Sequence, residues 1–271
     1  MAQALTVETT TRRRRGSWKR SSGFSLIELS IVILVMGLLL GGLLAPLSVQ
    51  RENARLTSAR HLLSEVESAL FGYALANGAL PCPATPASAG AAALAGGGCV
   101  AQHGFVPAAT LGLRGQRNTD GLLLDPWSSP LRYSVSSSDV DTDGAWDFVV
   151  PGEMRDVTVA SLIPDLIVCT TTVGSTPTAC GSAGNTLTSS APFVAYSLGK
   201  DWGSSSGAEQ QENLGASLGG GPSSTSYAIA GDVVFTSREH SAQSGAEYDD
   251  IVHWGSALTL YQQLLTTGQL P

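Results

Sequence analysis

A single carboxylate lies inside a long apolar stretch near the N-terminus. Glu28 is the only charged residue between Phe24 and Leu47, a run of 24 residues. A carboxylate alone in a membrane helix costs about 2–3 kcal/mol on insertion scales, so it needs a partner. The apolar run offers none, and Glu28 therefore predicts a partner from outside this segment.

The run from Phe24 to Leu47 is long enough to span a hydrocarbon layer of roughly 30 Å. The segment before it is basic, with Arg12, Arg13, Arg14, Arg15, Lys19 and Arg20 against Glu8. The positive-inside rule then places the N-terminus in the cytoplasm. We expect a single-pass protein of the bacterial inner membrane with a periplasmic C-terminal domain. The whole chain carries a net charge of −7, and phosphate contacts need Lys and Arg, so we expect no nucleic-acid partner.

The residues Gly23-Phe24-Ser25-Leu26-Ile27-Glu28 resemble the prepilin peptidase site of type IV pilins and of the pseudopilins of type II secretion. The resemblance implies that a membrane-embedded prepilin peptidase cuts after Gly23 and that the new amine of Phe24 is methylated. It also implies that Glu28 lies near the N-terminal amine of a neighbouring pilin or pseudopilin subunit. Carboxylate and ammonium are tolerated in lipid as a pair. A plain signal anchor with an accidental glutamate is the alternative.

The helix is predicted to continue beyond the membrane segment. An apolar stripe follows at helical spacing, formed by Leu56, Ala59, Leu63, Val66, Leu70 and Tyr73. Asn77-Gly78 and then Pro81 predict its end. We therefore divide the chain into a leader peptide (1–23), an N-terminal helix (24–78) and a β-rich periplasmic globular domain (79–271). Within the helix, 24–47 is the predicted transmembrane part, and 48–78 is predicted to pack on the globular domain.

After Leu80 the composition turns to Gly, Ser, Thr, Ala and Pro, with short β-type runs between turn signals. The predicted strands are Leu131–Val135, Trp146–Val150, Val157–Ala160, Leu166–Thr170, Phe193–Ser197, Tyr227–Ala230 and Asp232–Thr236. The predicted loops are Ala87–Gly98, Gly174–Ser190 and Ser204–Ser226. The fold class is therefore α+β, a long N-terminal transmembrane helix packed on a C-terminal antiparallel sheet domain, as in pilins.

All four cysteines follow the apolar segment, in a compartment that permits disulfides. We predict the local pairs Cys82–Cys99 and Cys169–Cys180, since each closes a loop of small residues. The other two connectivities stay open. Zinc is a rival use of the cysteines, but the spacings contain no CxxC and the histidines do not cluster along the sequence.

Three further motifs are similar to the major pseudopilin of type II secretion. Residues 125–133, Asp-Pro-Trp-Ser-Ser-Pro-Leu-Arg-Tyr, look like its Asp-Pro-Trp-Gly-x-Pro-x-x-Tyr turn and strand. Residues 196–201 and 249–254 look like its Ser-Leu-Gly-Ala-Asp and Asp-Ile-x-x-Trp pair. There are two departures: Ser128 replaces the turn glycine, and the loop between the last two motifs is much longer. The chain is also larger, which favours a minor or family-specific subunit.

The last two motifs predict a calcium site. Its ligands are the side chains of Asp201, Asp249 and Asp250 and the carbonyl of Leu198. Calcium takes six to eight hard oxygens, and neighbouring carboxylates repel each other without a cation. Major pseudopilins, which these motifs resemble, hold calcium in the corresponding loop. Asp139-Val-Asp-Thr-Asp-Gly144 is a rival, with Asp147 at the ninth place of an EF-hand-like loop. Val150 occupies the twelfth place, where a bidentate Glu belongs, so we expect an ordinary acidic turn there.

No catalytic constellation stands out, since the sequence has no Gly-x-Ser-x-Gly elbow, no HExxH helix and no phosphate loop. We therefore expect a structural protein rather than an enzyme. The predicted function is that of a minor pilin or pseudopilin in a type IV pilus or a type II secretion pseudopilus. The alternative is an adhesive or binding module displayed on a pilus through the same anchor.

Overall fold

A computed structural model describes residues 23–200, 207–214, 232–241 and 247–270, and for 40–47 it describes the backbone without the side chains. The chain divides into two compact units, residues 1–51 and residues 52–271. In the first unit the described part belongs mainly to helix α1, Leu26–Asn77, a 52-residue element that continues into the second unit. The backbone stays helical at Gly37 and Pro46, although glycine and proline are poor helix formers. The predicted leader, apart from Gly23, lies outside the described residues.

Among the residues that the structure describes, no helix is both long and apolar enough to cross a membrane. The span expected at 24–47 includes residues 40–47, whose side chains lie outside the described part, and it stays a prediction.

The second unit contains the part of α1 that has one buried face. Ala59, Leu63, Val66, Leu70 and Ala74 are all fully buried. The predicted stripe is confirmed except at its two ends. Leu56 and Tyr73 are only half-buried, and Ala74 takes the buried position next to Tyr73. The helix ends as expected, since Gly78 has a φ of 70° and its N–H donates to the Ala74 carbonyl at 2.8 Å.

A four-stranded antiparallel sheet carries the core of this unit. Its strands, in the order β3-β4-β7-β9, are β3 (His103–Phe105), β4 (Arg132–Val135), β7 (Phe193–Ser197) and β9 (Ile251–Trp254). Side chains alternate along β7, so that Phe193 and Ala195 join the α1 core while Val194 and Tyr196 join a second core. Both faces of the sheet are thus covered. Phe71 of α1 meets Phe193 edge to face, with ring centroids 5.5 Å apart.

A three-stranded sheet contributes to the second core. Its strands are β5 (Leu166–Cys169), β6 (Thr186–Ala191) and β8 (Val234–Thr236), in the order β6-β5-β8. Strands β5 and β6 are antiparallel, but β5 and β8 are parallel. The predicted antiparallel pairing is thus found in both sheets, and the parallel pair of β5 and β8 is an exception to it. The long segment between β5 and β8 allows the crossover that a parallel pair requires. The α+β class is confirmed.

The remaining elements are small. They are the hairpin of β1 (Leu94–Ala95) and β2 (Gly98–Cys99), helices α2 (Glu153–Asp156), α3 (Ala208–Leu214) and α4 (Ala257–Thr266), and 3-10 turns at Pro86–Ser88 and Ala183–Asn185. The N-terminus of α4 is capped by Ser256, whose side chain accepts a hydrogen bond from the Thr259 N–H at 3.4 Å.

Two predicted strands are wrong. Trp146–Val150 forms a turn, in which the N–H groups of Val149 and Val150 both donate to the Trp146 carbonyl. Val157–Ala160 is also a turn, at the end of α2. The hydrophobic side chains of the first segment anchor it in the core, as Phe148 is fully buried. A buried turn therefore shows the same run of hydrophobic residues as a strand, although it makes no strand pairing.

Several elements were not predicted. Strand β6 lies largely inside the predicted loop Gly174–Ser190, and α3 lies inside the predicted loop Ser204–Ser226. Strands β3 and β9 and helix α4 were also missed. The predicted strand Tyr227–Ala230 lies outside the described residues.

Candidate functional site

The predicted cleavage junction is exposed. Gly23 and Phe24 precede α1, which begins at Leu26, and Phe24 is 79% accessible. No atom of the described residues lies within 4 Å of the place that a Cβ on Gly23 would occupy. Within the described part of the chain, the predicted cut is therefore not covered by packed structure.

Glu28 lies in the first turn of α1 and is exposed. Its carboxylate has no hydrogen bond or ion pair with any other residue that the structure describes. The helix dipole favours a carboxylate at an N-terminal turn, but this contribution is below about 1 kcal/mol when the group is exposed. The stronger partner that the sequence analysis requires is therefore not supplied by the described residues of this chain.

The first turns of α1 present apolar side chains on all sides. The exposed large hydrophobic residues are Phe24, Leu26, Ile27, Leu29, Ile31, Val32, Ile33, Leu34, Val35, Met36, Leu38 and Leu39. A helix that is hydrophobic all round is stable when it is buried in protein or lipid. An exposed apolar surface of this extent marks a site of interaction.

The Asp125 turn of the second unit shows why its motif residues are needed. Asp125 Oδ1 accepts hydrogen bonds from the N–H groups of Trp127 and Ser129 at 2.9 and 2.8 Å. Its other oxygen accepts from Ser197 Oγ on β7 at 2.5 Å. Burial raises the pKa of Asp125, while these three hydrogen bonds act in the opposite direction. One carboxylate therefore closes the turn and ties it to the sheet.

Ser128 adopts a φ of 68° in this turn. This is the left-handed region, which glycine enters at no steric cost. The resembled motif has glycine at this place, and the positive φ is a reason for a glycine there. Ser128 adopts the same conformation at the cost of strain. The adjacent Trp127 donates its indole N–H to Glu52 Oε1 of α1 at 3.1 Å, which connects the turn to the helix.

The predicted ligand Asp249 lies against the Ser197–Lys200 segment. Its Oδ2 accepts from the Lys200 N–H at 2.6 Å, and its Oδ1 accepts from Gln210 Nε2 at 2.7 Å. Gly199 has a φ of 65°, and a Cβ there would lie 2.4 Å from the Asp249 carboxyl carbon. The conformation and the close approach together require glycine.

Asp250 belongs to a separate hydrogen-bond network. Its Oδ2 accepts from Asn213 Nδ2 at 2.7 Å. Asn213 in turn accepts from the Thr236 N–H and donates to the Thr236 carbonyl, both at 2.8 Å. Tyr248 also donates to the Thr236 carbonyl, at 2.6 Å. Asn213 therefore connects α3 to the end of β8 and to Asp250.

The structure thus brings only part of the predicted calcium site together. Asp249 and the Leu198–Lys200 segment are neighbours, whereas Asp250 is held by Asn213. Asp201 lies outside the described residues. Gln210 and Asn213, which hold the two carboxylates, were missed by the sequence analysis because they lie in a segment read as a loop. Calcium at Leu198, Asp201, Asp249 and Asp250 remains a prediction.

Both disulfides have the pairing that the sequence predicts. Cys82 bonds to Cys99, and Cys169 bonds to Cys180. The first joins the segment after α1 to strand β2, and the second joins the end of β5 to the loop before β6. The chain contains no further cysteine, so zinc would have to displace a disulfide.

The exposed apolar start of α1, preceded by an accessible Gly-Phe junction and carrying Glu28, has the features of the signal segment of a filament-forming precursor. Residues 18–44 match the family described as the prokaryotic N-terminal methylation motif. This is the prepilin signal of type IV pilins and pseudopilins, and the predicted resemblance is confirmed. No curated protein and no solved structure matches the chain.

The motif indicates a type IV pilin-like or pseudopilin precursor. Proteins with this motif are structural subunits, and the motif implies a membrane-anchored chain that later becomes part of a pilus-like assembly. It also implies processing by a prepilin peptidase and assembly with other subunits.

Proposed function

We propose that this chain is a minor pilin or pseudopilin, a structural subunit of a type IV pilus or of a type II secretion pseudopilus. The observation that carries the proposal is the Gly23–Glu28 junction at the start of an exposed apolar helix, within the matched residues 18–44. The minor role is supported by the size of the chain, 271 residues, and by the long segment between the motifs at 196–201 and 249–254.

The proposed sequence of events begins with insertion of residues 24–47 in the inner membrane and the C-terminal domain in the periplasm. The prepilin peptidase then cuts after Gly23, and the amine of Phe24 is methylated. During assembly the apolar start of α1 leaves lipid for contacts with other subunits. Glu28 then pairs with the Phe24 amine of a neighbour, which offsets the cost of both charges in an apolar environment.

The processing step is tested by N-terminal mass spectrometry of the membrane fraction. The mature chain should begin with methylated Phe24. Gly23→Val should leave the precursor uncut, because a side chain next to the scissile bond obstructs the peptidase. Gly37→Val is the matched control, since no atom lies within 4 Å of its Cβ position either, and it should be cut normally. An intact Met1 in the wild type, or cleavage near Ala45, would disprove the proposed processing.

The assembly step is tested with Glu28→Ala. This variant should be cut and inserted normally but should enter sheared filaments at least tenfold less than the wild type. Glu65→Ala is the control on the same helix. Glu65 is exposed, and its one ion pair among the described residues is an exposed contact with His61 at 3.5 Å, so its loss should have little effect. Equal incorporation of Glu28→Ala and the wild type would contradict the charge pairing.

A further inference from the structure

An acidic loop lies between β4 and α2, in a part of the molecule that the proposed assembly does not use. One side-chain oxygen from each of Asp139, Asp141 and Asp143 lies within 4.8 Å of the others. Three carboxylates at this separation repel one another when they are ionised. Acidic clusters on protein surfaces are common, so their proximity alone does not define a site.

The backbone of the loop orients these carboxylates. Asp139 accepts hydrogen bonds from the N–H groups of Asp143 and Gly144 at 3.2 and 2.9 Å. Asp143 Oδ1 accepts from the Ala145 N–H at 2.8 Å. Gly144 has a φ of 96°, which allows the sharp turn at the sixth place of the loop. Asp141 makes no hydrogen bond with the rest of the described chain.

Asp147 provides the independent observation. It is 0% exposed, and its Oδ2 accepts from the N–H of Val140, inside the acidic loop, at 3.1 Å. Its Oδ1 is buried and has no hydrogen-bond partner among the residues described. A buried polar oxygen without a partner is costly, and for a charged group the cost is higher. Burial raises the pKa of Asp147, and the charges of Asp141 and Asp139 raise it further.

Glu153, at the start of α2, adds a fifth carboxylate. Its Oε2 is buried and has no hydrogen-bond partner in the described chain. Burial raises the pKa of Glu153, and the charges of Asp143 and other acidic residues raise it further. Arg155 does not neutralise this group, because its guanidinium donates to the carbonyls of Gly268 and Gln269. None of the ion pairs among the described residues involves these carboxylates.

We propose that Asp139, Asp141, Asp143 and Asp147 bind one Ca²⁺ ion, with Glu153 as an additional carboxylate. The four aspartates occupy the first, third, fifth and ninth places of the loop, which are the side-chain ligand places of an EF-hand-like calcium loop. All the offered ligands are hard oxygens, which suit calcium, and the set contains no nitrogen or sulfur for zinc. The sequence alone favours an ordinary acidic turn here, because Val150 stands at the twelfth place. Under this proposal Glu153, three residues later, would supply the carboxylate that Val150 lacks.

The ion would stabilise the connection between β4 and α2. The Asp147 N–H donates to the Ser138 carbonyl at 2.9 Å, and the Phe148 carbonyl accepts from the Leu80 N–H at 2.7 Å. The loop is thus attached to the segment that follows α1. By contrast, Asp249 and Asp250 already accept hydrogen bonds from the amides of Gln210 and Asn213, so their charges depend less on a cation.

The test uses the full chain in detergent, stripped with chelator and titrated with CaCl₂ by calorimetry. The wild type should bind calcium with a Kd of about 10⁻⁵–10⁻³ M. Asp141→Asn should weaken this binding at least tenfold. Asp156→Asn is the matched control, an exposed acid on α2 with the same change of charge, and it should bind as the wild type does. The wild type should melt about 5–10 °C higher at a calcium concentration 100-fold above its Kd.

A second readout separates loss of a ligand from damage to the fold. Without calcium, Asp141→Asn should melt at or slightly above the wild type, because it removes repulsion and breaks no hydrogen bond of the described structure. With calcium, the order should reverse. Absence of binding to the wild type, or equal binding to Asp141→Asn, would overturn the proposal. So would binding that Asp249→Asn removes and Asp141→Asn leaves intact, since the ion would then belong to the Asp249 segment.

Discussion

The two ends of helix α1 expose their apolar side chains very differently. From Leu26 to Leu39 the large hydrophobic residues named above are all exposed. From Ala59 to Ala74 the residues of the stripe are all fully buried in the core of the second unit. A continuous helix therefore contains one segment that is buried among the described residues of the chain and one segment that these residues leave exposed.

The difference follows from the sequence pattern. The later segment has polar residues between its apolar ones, so that only one face is hydrophobic and a single sheet covers it. The earlier segment is apolar on every side, and one sheet cannot cover it. Substitutions in the later segment should therefore change folding, and substitutions in the earlier segment should change assembly.

The largest expected effect on folding is that of Leu70→Ala. Leu70 is fully buried between α1 and the sheet, so truncation leaves a cavity and should lower the free energy of unfolding by about 2–5 kcal/mol. Denaturant unfolding of the full chain in detergent measures it. Leu258→Ala on α4 is the control, because Leu258 is 79% exposed, and it should change stability by less than about 0.5 kcal/mol. Equal effects of the two variants would remove the basis of the comparison.

The features that the sequence predicted correctly are those that depend on residues close together along the chain. Gly23 and Glu28 are recognised from a short motif, and the end of α1 follows from Gly78. The disulfide pairs are close along the chain. These features depend on neighbouring residues, so a linear pattern is sufficient to predict them.

The features that were missed depend on contacts between distant residues. Strand β3 has only three residues and is defined by its pairing with β4. Asn213 acts through Thr236 and Asp250, which are remote in sequence. The role that we propose for Glu153 in the acidic loop also depends on the fold, because counting places along the loop leads to Val150 and not to Glu153.

A smaller effect concerns the pH dependence of the second unit. His103 on β3 is buried, and burial lowers its pKa to about 4, against the smaller opposing effects of an Asp232 backbone hydrogen bond and the Asp165 charge. The folded state thus favours the neutral ring. The stability contributed by His103 is present above the unfolded pKa near 6.5 and is lost as the pH falls toward about 4.

We expect a loss of about 2 kcal/mol from this residue between pH 7 and pH 5. His103→Gln should show a smaller loss over this interval, and urea unfolding at both pH values measures the difference. Carboxyl groups whose pKa is raised, such as Asp125 and Asp147, act in the opposite direction in both proteins and cancel in the comparison. The same pH dependence in the variant and the wild type would show that His103 is not the responsible group.

A still smaller change in stability is expected from a substitution of Ser128, which is strained by its φ of 68°. Ser128→Gly should raise the free energy of unfolding by about 0.5–1 kcal/mol, because relief of the left-handed conformation exceeds the added entropy of the unfolded chain. Ser129→Gly is the adjacent control. Ser129 is buried and has no positive φ, so glycine there should lower stability. Destabilisation by Ser128→Gly would mean that the turn is held by more than its backbone conformation.

The smallest expected effect on folding is that of Leu34→Ala, and it tests the comparison most directly. Leu34 is 63% exposed on the early part of α1, so its truncation leaves no cavity in the folded chain. The unfolding free energy in detergent should change by less than about 0.5 kcal/mol. Incorporation into filaments should nevertheless fall, because the lost methyl groups belong to the surface that other subunits would cover. Leu70→Ala should show the opposite pattern, with reduced stability and normal incorporation of those molecules that fold. A stability loss of several kcal/mol for Leu34→Ala would show that this segment folds with the rest of the chain, and the division of α1 into a folding part and an assembly part would be wrong.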